Sequence, residues 1–141
     1  MKQFIMEHTY EVKAGDYVVA GEASSSIKGL LKKLGISGDI VRRMAIAAYE
    51  AEMNLVIHSE GGHLILKISP AELLLISQDE GPGIPDIDLA MEEGYSTAPD
   101  EAREMGFGAG MGLANIKRCA DEFNIKSSVG IGTKVEVKIY I

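Results

Sequence analysis

Glu50 and Asn54 stand four residues apart in a segment of helical periodicity, so their side chains stack on one side of a helix. With Ala47 facing the core, Met44, Ala48, Ala51, Leu55 and His58 fall on or near one stripe. Glu50 and Asn54 lie at its edge, and Glu52 is expected on the opposite side, pointing to water. A carboxylate and a carboxamide beside an apolar surface are partly desolvated, which costs energy unless both find partners. The amide oxygen of Asn54 suits Mg²⁺, and the carboxylate of Glu50 suits orienting or deprotonating a nucleophile. A solvated helix edge with a local hydrogen bond is the other reading of the same pair.

A second group begins where the apolar run at Leu73–Ile76 ends, in Asp79-Glu80-Gly81-Pro82-Gly83-Ile84-Pro85-Asp86. A carboxylate at a strand terminus projects into a pocket, while Gly81 and Gly83 let the chain turn closely beneath a ligand. An ionised carboxylate only accepts hydrogen bonds, so Asp79 suits the exocyclic amine of adenine and repels a carbonyl oxygen at the same place. An acidic turn cap accounts for it equally well.

Farther on, Gly106, Gly108, Gly110 and Gly112 alternate with Phe107, Ala109 and Met111 and run through Leu113 into a helix-like segment. A strand interior does not accept such spacing, and each glycine weakens a helix interior by roughly 1 kcal/mol. Close approach of backbone N–H groups to an anion at a helix start explains them, as does plain turn flexibility. Near the end, Gly130-Ile131-Gly132-Thr133-Lys134 sets a hydroxyl beside a glycine turn. Thr133 would touch a phosphate there, or the segment is only a hairpin.

These residues need a frame. Residues 4–12 and 17–22 read as two strands joined by a turn at Ala14-Gly15-Asp16. Ser24, Ser25 and Ser26 offer an N-cap for a helix to about residue 34, stopped by Gly35. Ser37 or Asp39 caps a longer helix over roughly 39–58, ended by Gly61-Gly62. Segments 63–69 and 73–79 form a hairpin, 81–111 is irregular with a short helix near 86–92, and a helix near 111–122 precedes strands at 124–129 and 132–141. The order predicts an α+β fold: a two-layer α/β sandwich with a mixed, mainly antiparallel sheet and helices on one face. A Rossmann cradle would follow the first strand, and this glycine stretch comes late.

Composition narrows the class. The 141 residues fit one domain, with 46% apolar and 25% charged residues, as in a soluble globular protein. No apolar run reaches the roughly 18–20 residues of a membrane span, and acid at Glu7 disfavours a secretory signal. Cys119, the single cysteine, reads as a small buried apolar residue. A net charge of −7 argues against general nucleic-acid binding. His8, His58 and His63 have no metal-ligand spacing. A cytoplasmic location is expected.

Taken in order, the E-x-x-x-N helix, D-x-G-x-G after a strand, glycine-rich lid and terminal G-T strand make the chain resemble the GHKL ATPases over nearly its whole length. It is most similar to the small stand-alone serine/threonine kinases of bacterial anti-sigma and stressosome switches. Three stretches carry that closer match: Glu50-Ala51 through Asn54 and His58; Asp79 through Asp86; and Gly94-Tyr95-Ser96-Thr97 with Gly106–Leu113, Lys117-Arg118 and Asp121-Glu122-Phe123. Histidine kinases would carry a preceding helix pair, and gyrase- or Hsp90-like proteins a following transducer domain.

The resemblance implies a Bergerat-type ATP-binding fold over residues 1–141, with an ATP lid at about 86–111. It implies ATP and Mg²⁺, with Asn54 coordinating the metal and Glu50 acting as base toward a protein hydroxyl. Asp79 would bind the adenine amine, Gly81 and Gly83 would allow close backbone approach, and Thr133 would lie near the base. Gly106, Gly108, Gly110 and Gly112 would let the lid fold over the phosphates, with backbone N–H groups around Met111 and Leu113 contacting them. The implied partner is a STAS-domain anti-sigma antagonist as substrate. A nucleotide-gated module that sequesters a sigma factor or activates a PP2C-type phosphatase is the alternative, and a homodimer is possible. The relatives carry an arginine in the first helix where this chain has Ser24-Ser25-Ser26. That leaves Lys28 or Arg43 as candidates for the positive charge at the phosphates.

Overall fold

The computed structural model describes residues 5–16, 18–81, 91 and 112–141. Strand β1 (Met6–Val12) leads through a turn to helices α1 (Glu22–Lys33) and α2 (Gly38–His58). Strands β2 (Gly62–Ile68) and β3 (Glu72–Asp79) follow, then helix α3 (Gly112–Cys119), β4 (Glu122–Ser128) and β5 (Gly132–Tyr140). The strands form one sheet in the order β1-β2-β3-β5-β4, and each described pair is antiparallel.

The register explains why one face is dry. Leu66 pairs with Leu75 and Leu75 with Val137, while Ile68 pairs with Leu73 and Leu73 with Ile139. These apolar rows cross three strands, and all six side chains are buried against the helices. From the helices come Ile27 and Leu31 of α1, Met44, Ala47, Ala48, Ala51 and Leu55 of α2, and Ile116 of α3. Each large side chain buried this fully contributes about 1.5–3 kcal/mol of transfer free energy. The apolar stripe expected on the long helix is the one buried, His58 apart, whose side chain lies outside the described part.

Two expectations fail around the first helix. No strand forms at 18–22: Val18 and Val19 are exposed, and β1 takes β2 as its partner. Gly21, at φ +101°, instead turns the chain into α1, a conformation that disfavours side chains. The serines do not cap the helix. Ser24 is buried inside its first turn and donates its hydroxyl to the Gly21 carbonyl.

The cap comes from Glu52, expected in water but 3% exposed. Its Oε2 accepts the N–H groups of Gly21 (3.0 Å) and Ala23 (3.2 Å), and its Oε1 that of Ser24 (2.9 Å). A carboxylate there satisfies orphan donors and meets the positive end of the helix dipole. The helical wheel assigned Glu52 to water because it considers one helix alone; α1 covers that side of α2. The third helix is also shorter than expected, ending at Cys119, so β4 begins at Glu122.

Candidate nucleotide-binding site

The site has two ends, one built by the sheet and one by helices. At the sheet end, β3 delivers Asp79 at its terminus and β5 starts beside it. Asp79 Oδ1 accepts the backbone N–H of Thr133 at 2.9 Å, and among the described residues no side-chain hydrogen bond reaches Oδ2. Gly132 makes this approach feasible: a Cβ there would overlap the Asp79 carbonyl oxygen. The Thr133 hydroxyl lies 2.9 Å from the Ser127 hydroxyl, tying β5 to β4 at the same place. Burial pushes the Asp79 carboxyl above the ordinary range, and the Thr133 N–H pulls partly the other way.

Gly81 also has a role in the fold. Its missing Cβ faces Ser59 and the Glu60 backbone at 3.4 Å, so its bareness serves the junction with the end of α2. Backbone bonds lock that junction: Glu60 N–H donates to the Glu80 carbonyl (2.9 Å), and Glu80 N–H to the Gly61 carbonyl (3.2 Å). The strand terminus bearing Asp79 is therefore fastened to the helix bearing Glu50 and Asn54.

At the helical end, α2 meets the start of α3. A Cβ built on Gly112 would lie 3.1 Å from Asn54 Oδ1 and 3.2 Å from Glu50 Oε2. The glycine thus lets a helix N-terminus come against both polar side chains, which are half-buried. Asn115, one turn along α3, donates its amide to Glu50 Oε1 at 3.3 Å. Arg118 donates to Asn115 Oδ1 at 3.0 Å. A guanidinium only donates, so it fixes which way the Asn115 amide faces and turns the N–H group toward Glu50. Leu113 packs against the core beside this turn.

Arg43 is not at the phosphate end. Its Nε donates to the Cys119 carbonyl (3.0 Å) and its Nη2 pairs with Asp121 Oδ1 (3.0 Å). Both sit at the far end of α3, a helix of eight residues and hence about 12 Å long. Arg43 therefore anchors the C-terminus of α3, where a cation complements the dipole. Burial also raises the Cys119 thiol, against the pull of Arg43 and Arg42, in keeping with an inert, partly buried cysteine.

Of the residues expected in the site, Glu50, Asn54 and Gly112 come together, as do Asp79 and Thr133, whose approach Gly132 permits. Gly83, Gly106, Gly108, Gly110 and Met111 lie outside the described residues, as does nearly all of the expected lid. Asn115 was missed, although its place three residues after Gly112 puts it on the same helical face.

The donor set fits a magnesium nucleotide. Two oxygen-bearing side chains face a helix N-terminus at one end, and the Asp79 carboxylate stands at the other. Residues 40–141 match the family described as histidine kinase-, DNA gyrase B-, and HSP90-like ATPase. The chain belongs to this ATPase family. Among its relatives is the serine/threonine-protein kinase RsbT of Bacillus subtilis, 32% identical over 77% of this chain and 79% of its own length. An anti-sigma F factor of Clostridium kluyveri is 31% identical over 82% of each chain, and that of Clostridium acetobutylicum 35% identical over 66% and 65%. Among the described residues no cluster of His, Cys, Asp and Glu could hold a metal by itself, so Mg²⁺ would depend on Asn54 together with the phosphates. No described helix is long and apolar enough to cross a membrane.

Proposed function

We propose that this chain is a Mg²⁺- and ATP-dependent serine/threonine kinase of a bacterial partner switch, and that its substrate is a STAS-domain antagonist protein. Family membership and the relatives give the reaction class. The observation that carries the site assignment is the meeting of Glu50 Oε2 and Asn54 Oδ1 at Gly112. A kinase base must reach the incoming hydroxyl and the transferring phosphate at once, and Glu50 stands where a helix N-terminus favours phosphate.

In this reading Asp79 Oδ2 accepts the adenine amine while Thr133 N–H holds Oδ1 in place. Backbone N–H groups at the start of α3 hold phosphate oxygens, and Asn54 Oδ1 holds Mg²⁺. The metal, when bound, would draw charge off the phosphates. Asn115 orients Glu50, which takes the proton of the serine or threonine hydroxyl. The hydroxyl oxygen bonds to the terminal phosphorus as the bond to the ADP oxygen breaks. Little else is required, because phosphoryl transfer is chiefly positioning and charge stabilisation.

Labelled ATP incubated with the chain and purified STAS-domain proteins tests the reading. Transfer to serine or threonine, lost in Glu50→Ala, is expected; no transfer above that of the variant overturns it. The serines Ser24-Ser25-Ser26, where similar kinases usually carry an arginine, favour one other reading, a nucleotide-gated module that binds a sigma factor or a PP2C-type phosphatase. That reading predicts partner binding that survives Glu50→Ala and is lost in Asp79→Asn.

A further inference from the structure

Helices α1 and α2 leave a groove of about 580 Å³ on their outer side, and its chemistry departs from that of the chain as a whole. The protein carries a net charge of −7, yet Lys28, Lys32 and Arg42 line this groove. Arg42 is paired with Asp39. Lys28 and Lys32 are exposed, and neither forms an ion pair with a described residue. They stand four apart on one helix, where like charges cost helix stability. The same groove holds two largely apolar side chains that water does not favour: Ile46 is 37% exposed and Tyr49 41% exposed. Tyrosine and arginine are the residue types that most often anchor protein partners.

The position of the groove gives it a purpose. Glu50 lines it on one side and meets Gly112 and Asn115 on the other. Glu50 thus belongs both to the groove and to the nucleotide site. A base that takes a proton from a protein hydroxyl must look in both directions. The chain bearing that hydroxyl then has to lie along the surface leading up to Glu50.

We propose that the groove seats an acidic segment of the protein substrate, with apolar side chains against Ile46 and Tyr49 and carboxylates against Lys28 and Lys32. This rests on the reading of Glu50 as the kinase base, and it adds the chemistry by which the substrate is recognised. Charge complementarity selects the occupant: a basic segment would meet like charge, and a purely apolar one would leave the two lysines unanswered.

Two measurements test it. In phosphotransfer to a STAS-domain substrate, Lys28→Glu with Lys32→Glu should raise the KM for the protein about tenfold or more and steepen at low salt, as a lost electrostatic contact does. The KM for ATP and kcat at saturating substrate should stay within about twofold, since Lys28, the other candidate for the charge at the phosphates, lines this groove with Lys32 and is not among the side chains that meet at Gly112. Unchanged protein KM, or a loss confined to kcat and ATP, overturns the proposal; so does a change of oligomeric state, which would make a second copy the occupant.

The second measurement does not depend on catalysis. A labelled helical peptide of about 18 residues, leucine on one face and glutamate on the other, is compared with its lysine counterpart. The glutamate peptide should bind the wild type and the lysine peptide should not, with the preference reversed in the double variant. Equal binding of both, or of neither, overturns the groove. If no STAS-domain protein is phosphorylated, the kinase reading fails while the peptide pair still decides the groove.

Discussion

The proposed nucleotide site has a base end and a phosphate end, and the two are made by different means. At the base end, Asp79 is held by a backbone N–H from an adjacent strand, and Gly132 sets the distance. Nothing there relies on a long side chain, so the geometry is as firm as the sheet. At the phosphate end, Glu50, Asn54 and Asn115 project from two separate helices and meet only because α3 packs on α2. The contrast teaches a division of labour. In the proposed reading, the rigid end would read the base, and an end assembled from movable side chains is suited to charge that shifts during reaction.

The comparison breaks most visibly at Glu50. Glu50→Gln should lower kcat for phosphotransfer by about 10²–10⁴-fold while leaving ATP affinity within a few-fold, as loss of a general base does. Single-turnover kinetics beside calorimetric ATP binding checks it; a matching loss of affinity would merge the two ends into one.

Asp79→Asn should do the reverse. ATP affinity should fall by about 10²-fold, and the preference for ATP over GTP should shrink with it, because a mispaired buried polar group carries that cost. The ligand-free variant should melt no lower than the wild type. Burial raises the Asp79 carboxyl, so the fold favours its protonated form, and the stability that form contributes is lost as pH rises through the raised value. At neutral pH the wild type bears an ionised, half-desolvated carboxylate that asparagine lacks. Melting curves across acid and neutral pH would expose a wrong sign.

Glu52 probes the scaffold beneath both ends. Removing it in Glu52→Ala strands the N–H groups of Gly21, Ala23 and Ser24 at the start of α1, at a cost of about 2–3 kcal/mol for lost hydrogen bonds to a charged group. Urea denaturation should register this, and hydrogen exchange should rise first in α1. The smallest effect is expected at Asn115. Asn115→Ala removes one hydrogen bond to Glu50, worth about 0.5–1.5 kcal/mol, so kcat should fall a few-fold with ATP affinity unchanged. In a Glu50→Gln background the same change should add nothing; a full additional loss would show that Asn115 acts elsewhere.

Much of this was legible in the residues because it depends on spacing. The stripe of α2 followed from helical period, the strands β2 and β3 from alternation and a Pro70 turn, and Asp79 from its place after an apolar run. Where partners lie far apart in sequence, the reading failed. Val18 and Val19 looked like strand because β-branched residues favour it, but β1 pairs with β2, and Gly21 turns the segment after them into α1. The contact of Gly81 with the end of α2 was likewise not legible in the residues.

The sequence by itself determined which residues could do chemistry, since side-chain type and local period are written in it: Glu50 with Asn54, Asp79 with its glycines, Gly112 opening a helix. Tertiary structure decided which of them meet. It turned Glu52 from a surface charge into a helix cap 28 to 31 residues away from its donors, and assigned Arg43 to the far end of α3 rather than to phosphate. It also brought Asn115 to Glu50 across 65 residues. The physical reason is that a helix or strand specifies the direction of a side chain relative to its own axis, whereas burial and hydrogen-bond satisfaction depend on what the other elements place there.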